Sequence, residues 1–72
     1  MDIALNERDL EVLSLVADGM TSNEIANALH LSSHTVRSRK KQIIKKLSAA
    51  NMIEAVYKAT PAIIAWREEE ST

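Results

Sequence analysis

The sequence predicts an all-α fold of four helices, on three observations. It holds one glycine and one proline, its β-branched residues show almost no strand-like alternation, and its apolar residues recur at helical spacing throughout. At 72 residues the chain has room for one domain over 1–72, with a core expected over about 5–59 and a C-terminal extension over 60–72. A chain this short buries only about 60% of the surface its unfolded form exposes, so support from a second copy is expected. It has no cysteine and no dense cluster of His and acidic residues, which removes disulfides and structural zinc as that support.

Each helix has its own start and stop signals. Asn6 is a good N-cap for the first, with Asp9 three positions on as a weak capping box. Leu10, Leu13, Val16 and Ala17 form its apolar stripe, and Gly19 ends it. Thr21 or Ser22 can cap the second helix, whose apolar face is Ile25, Ala26 and Leu29, with Glu24 suited to the positive end of the helix dipole. Ser32 or Ser33 caps the third, in which Val36, Ile43 and Leu47 share one face at intervals of seven and four. A break over residues 48–50 lets Asn51 cap a fourth helix bearing Met52, Ile53, Ala55, Val56 and Ala59. Thr60-Pro61 resembles an N-cap followed by proline at the first helical position. A short fifth helix is therefore expected from Ala62 to about Glu69, turned away from the fourth and frayed at its glutamates.

The formal charge of -1 would by itself argue against a nucleic-acid partner, but the average hides the distribution. Arg37, Arg39, Lys40, Lys41, Lys45 and Lys46 hold six of the nine basic residues, and no acid falls between Leu31 and Ala50. Such polarity gives a strong local positive field on a nearly neutral molecule. A basic helix is often only a solvated face. This one has no acid at i,i+4 to make surface pairs, and it follows a short helix and a turn at the position a reading helix would occupy.

Over Glu24 to Arg39 two helices are joined by too few residues to pack as an antiparallel hairpin, so they must cross steeply, as in a helix-turn-helix. Ala26 falls where they cross, and Ile25, Leu29, Leu31 and Val36 supply apolar contacts that lock the angle. A rigid angle lets the second helix protrude into a groove about 12 Å wide.

The sequence here resembles the LuxR-type family of bacterial transcription regulators, also called the FixJ or NarL type. The resemblance runs from about Leu5 to Ala59 and is carried by Leu5, Arg8, Asp9, Glu11, Val12 and Leu13, then Gly19, Glu24-Ile25-Ala26 and Leu29. Ser32, Thr35-Val36-Arg37, Ile43, Lys46-Leu47, Asn51 and Glu54-Ala55-Val56 continue it in order. It implies a four-helix helix-turn-helix domain in which the third helix reads DNA and the fourth commonly forms a dimer. It also implies that Arg37, Ser38 and Lys41 face base edges. Four departures stand out: Arg39 where the family usually has His, Lys40 where an apolar residue is common, Ser48 where glycine is usual, and Met52 where arginine is frequent.

Helical geometry selects the same face independently, because His34, Arg37, Ser38, Lys41 and Lys45 fall on one stripe. These five are the expected base contacts, with Arg37 suited to guanine O6 and N7. Thr21, Ser22, Asn23, Ser32, Ser33 and Thr35 lie at helix starts, where hydroxyls and backbone N–H groups can meet phosphate as well as cap. Arg39, Lys40 and Lys46 are expected to flank the stripe as phosphate or solvent contacts, their stems laid along the core edge. Met52, Ile53, Val56 and Tyr57 are the expected dimer face, placing two reading helices about one DNA turn apart.

Other chemistry is poorly supported. His30 and His34 straddle the turn without a third ligand, and Ser33-His34 lacks an orienting acid, so neither a metal nor a catalytic role is expected. No cofactor or small-molecule ligand is expected either. The longest apolar segment, residues 62–66, is far short of the roughly 20 residues of a membrane span, and Met1-Asp2-Ile3-Ala4 does not read as a secretory leader. The expectation is a cytoplasmic, stand-alone transcription regulator that binds a partly palindromic site on double-stranded DNA as a homodimer. The competing expectation is an interaction module of the same fold that titrates another regulator through its fourth helix.

Overall fold

The computed structural model describes residues 5–71, arranged as four helices: α1 (Glu7–Ala17), α2 (Ser22–Leu29), α3 (Ser33–Lys46) and α4 (Met52–Glu70). The leader reading of residues 1–4 lies outside the described residues. Every helix starts at the residue that a local polar side chain dictates. Asn6 accepts the Asp9 N–H while Asp9 accepts the Asn6 N–H, and Thr21 and Glu24 repeat that reciprocal pair at α2. Ser32 accepts the Thr35 N–H at α3, and Asn51 accepts the Glu54 N–H at α4.

Left-handed residues stand at the ends of the first three helices. Gly19 follows α1 at φ +86°, a conformation that costs glycine nothing. His30 ends α2 at φ +58°, letting Leu31 donate to the Ala26 carbonyl. Ser48, where the resemblance expects glycine, follows α3 at φ +52°, and Ala49 donates back to Ile44 across it.

α1 packs against α3 and α4, and α2 crosses α3. The core between them is Val12, Leu13, Ile25, Ala26, Val36, Ile43, Leu47, Ala55, Ala59 and Ile63. The expected α1 stripe is thereby shifted. Val12 and Leu13 are buried, Leu10 and Val16 are half-buried, and Ala17 is exposed, because α1 packs against all three other helices, most of all α4.

The separate fifth helix does not form. α4 runs unbroken through Pro61 to Glu70, and the run of glutamates stays helical. Proline removes the N–H that would bond the Tyr57 carbonyl, but both residues lie on the exposed side of the helix, within reach of water. The Thr60 hydroxyl donates to Val56 O in the same turn. Beyond Pro61, burial of Ile63 and the bonds from Arg67 to Ser14 and Asp18 hold the second half of α4 on α1, so the core extends past residue 59. No helix among the described residues is long and apolar enough to cross a membrane.

Candidate nucleic-acid interface

Three residues, His30 to Ser32, connect α2 to α3, and apolar and polar contacts together fix how the two helices cross. Ile25, Ala26 and Val36 are buried at the crossing, with Leu29 and Leu31 packed beside them. Two side-chain bonds join the start of α2 to α3. Ser33 Oγ donates to Asn23 Oδ1 at 2.6 Å, and Lys40 Nζ donates to Ser22 Oγ at 2.7 Å. Burial, and secondarily the Arg37 charge, hold the Lys40 ammonium below its ordinary pKa.

With Val36, Ile43 and Leu47 turned into the core, the opposite side of α3 is left to solvent. His34, Arg37, Ser38, Lys41 and Lys45 are all exposed there. A cleft of about 240 Å³ runs beside them, lined by His34, Thr35, Ser38, Arg39 and Gln42. Gln42 was not among the expected contacts, although its position four residues after Ser38 and eight after His34 is the signal that places it there.

Ion pairing separates the cations into two groups. Arg8 meets Glu11, Lys58 meets Glu54, Arg67 meets Asp18, and both Arg39 and Lys46 meet Asp9. Lys40 is spent on a hydroxyl. Of the lysine and arginine side chains among the described residues, only those of Arg37, Lys41 and Lys45 make no ion pair or hydrogen bond, and all three lie on the exposed stripe.

The expected flanking contacts are distributed differently. Arg39 and Lys46 reach back to Asp9 and Lys40 reaches Ser22 of α2, while 28% of the Arg39 side chain and 30% of the Lys46 side chain stay exposed at the flank of the stripe. Of the small polar residues, Thr21, Asn23, Ser32 and Thr35 are exposed while Ser22 and Ser33 are half-buried. Their side chains already serve as caps or as ties between helices. His30 is the left-handed end of α2, and among the described residues no three or more His, Cys, Asp or Glu gather in one place.

The expected dimer face divides in two. Ile53 and Tyr57 are 83% and 79% exposed, whereas Met52 and Val56 pack partly against the core. Ile64, 53% exposed, continues the outward stripe from Ile53 and Tyr57.

Residues 4–59 match the profile of the family described as bacterial regulatory proteins, luxR family. The chain belongs to that family. Its luxR-family segment is 46% identical over 55 residues to the uncharacterized response regulatory protein YgeK of Escherichia coli, covering 76% of this chain and 37% of the relative. It is 48% identical over 52 residues to the transcriptional regulatory protein DesR of Bacillus subtilis, covering 72% and 26%. It is 38% identical over 52 residues to BvgA of Bordetella pertussis, named a putative positive transcription regulator of virulence factors, covering 72% and 25%. The chain thus spans about a quarter to rather more than a third of the length of these relatives. The luxR-family match ends at Ala59, so the second half of α4, with Pro61 and Arg67, lies beyond it.

Proposed function

We propose that this luxR-family domain is a DNA-binding transcription regulator that lays α3 into the major groove in the cytoplasm. The observation that carries the reading is the alignment of Arg37, Lys41 and Lys45, the three cations without an internal partner, on one exposed stripe of the second helix of a helix-turn-helix. A stripe one helical face wide fits a groove, and cations left free of acids are what phosphates and guanine edges recruit. In this reading His34, Arg37, Ser38, Lys41 and Lys45 meet base edges, joined by Gln42. Thr21, Asn23, Ser32 and Thr35 approach phosphate from the helix starts.

We extend the proposal to a homodimer on a partly palindromic site, paired through Ile53, Tyr57 and Ile64 on α4. Their exposure supports this, since large apolar side chains gain most when a partner covers them. The same stripe favours the second reading, in which α4 docks on another regulator and the chain titrates it.

Selection of bound sequences from a random duplex pool, followed by a salt titration, decides between the readings. A DNA regulator enriches a motif with two half-sites and loses affinity steeply with salt. A titrating module enriches nothing and shows a flat response.

A further inference from the structure

Among the described residues Asp9 is the only charged side chain that is fully buried, and it stands where α1 meets the inner flank of α3. Its Oδ2 accepts the Asn6 N–H at 3.1 Å and the Lys46 ammonium at 2.6 Å. Arg39 Nη1 stands 3.6 Å from Oδ1, an oxygen with no hydrogen-bond partner of its own. A buried carboxylate is tolerated only where opposite charge meets it, so the two cations are required at this place.

Their spacing matters as much as their charge. Arg39 and Lys46 are seven residues apart, about two helical turns, and therefore share one side of α3. A single carboxylate tied at two heights resists both rotation and sliding of the helix. On the other side of the core-facing stripe Lys40 is tied to Ser22 of α2, so α3 is braced from both flanks.

From this arrangement we infer that Asp9 is a positioning residue of the DNA interface. Its buried carboxylate withdraws Arg39 and Lys46 from the face offered to phosphate and fixes the rotation that aims Arg37, Lys41 and Lys45 outward. This inference rests on the DNA-binding reading. Every cation that reaches a phosphate adds to affinity for any sequence, whereas the stripe that remains can read base edges. Asp9 thereby lowers the sequence-independent part of binding and leaves the reading part intact. A merely structural carboxylate would change stability and leave the number of phosphate contacts alone.

The test is a salt titration of the 72-residue chain on random-sequence duplex by fluorescence anisotropy, with folding followed by circular dichroism. Asp9→Asn keeps the shape and the Asn6 contact but drops the charge. It is expected to steepen the slope of log K against log salt by about 1.8, because each phosphate neutralised on duplex DNA contributes about 0.9. Adding Arg39→Gln and Lys46→Gln to Asp9→Asn is expected to return the slope to that of the unaltered chain. A folded Asp9→Asn variant with an unchanged slope overturns the inference.

Arg39→Gln alone, which leaves Lys46 on Asp9, decides the matter even where Asp9→Asn does not fold. An unchanged slope is expected. A slope shallower by about 0.9 means that Arg39 reaches phosphate despite Asp9 and overturns the inference. An unaltered chain that binds no duplex at any salt overturns the DNA-binding reading itself, and this inference with it.

Discussion

Arg67, near the far end of α4, closes over Ser14 of α1: its Nε donates to the Ser14 hydroxyl at 2.6 Å and its Nη2 to the Ser14 carbonyl at 2.7 Å. The same guanidinium reaches Asp18 at 2.9 Å. Ser14 is buried, so removing Arg67 strands a hydroxyl without a partner. Arg67→Ala is expected to cost about 1–3 kcal/mol of stability, read from urea unfolding. Amide exchange should rise most after Pro61, where Arg67 and Ile63 fasten the helix.

In the proposed DNA-binding reading Arg37 meets a base edge. Arg37→Ala is expected to lose roughly 1–3 kcal/mol of binding at one base position and little elsewhere, measured on duplexes varied one position at a time. Equal loss on every sequence would make it a phosphate contact. Lys45→Gln, at a residue proposed to meet a base edge, should likewise weaken binding chiefly at one base position, and a salt slope shallower by about 0.9 with equal loss on every sequence would make it a phosphate contact instead.

Exposure chooses the substitution that tests pairing. Val56 packs partly on the core, so a charge there would disturb the fold as well as any dimer, whereas Tyr57 is exposed. Tyr57→Glu is expected to give folded monomers in sedimentation equilibrium at concentrations where the unaltered chain pairs. Unchanged dimers would remove α4 as the seam.

Ser48 sits at φ +52°, in the left-handed region that a side chain disfavours by roughly 1–2 kcal/mol. Glycine escapes that cost but loses more freedom on folding, by roughly 0.5–1 kcal/mol. Ser48→Gly should therefore stabilise by about 0.5–1 kcal/mol, raising Tm by a few degrees in a domain of this size.

Lys40 has its pKa lowered, chiefly by burial and then by Arg37. The folded state thus holds the charged ammonium less well than the unfolded chain, whose lysine titrates near 10.5. Its unfavourable contribution is complete below the folded pKa and fades as pH rises through that value towards 10.5. Lys40→Met should abolish this alkaline gain, so the difference in stability between variant and unaltered chain shifts in favour of the unaltered chain as pH rises from 7 to 10. Parallel pH profiles from thermal unfolding would contradict it.

What could be read in the sequence was local. Asn6, Thr21, Ser32 and Asn51 cap their helices because capping depends on three or four neighbouring residues. The outward stripe of α3 follows equally from the helical period and the positions of Val36, Ile43 and Leu47. Pro61 misled because its local signal is that of a helix start, while burial of Ile63 and the Arg67 bonds, made with a helix some fifty residues earlier, outweigh it. The engagement of Arg39 and Lys46 was hidden for the same reason. Asp9 reads in sequence as half of a capping box, and its second role exists only once α1 and α3 are packed.

The pairing of most cations with acids has a kinetic meaning. With Arg37, Lys41 and Lys45 set aside, the rest of this chain is acidic, and the whole carries -1. Attraction by net charge is absent, so a distant duplex exerts no pull on the molecule. In the proposed DNA-binding reading its field would exert a torque instead, turning α3 towards the duplex once the two approach to about a Debye length, roughly 8 Å at physiological salt. On that reading charge would act as a compass rather than a magnet, orienting an encounter that diffusion must first provide.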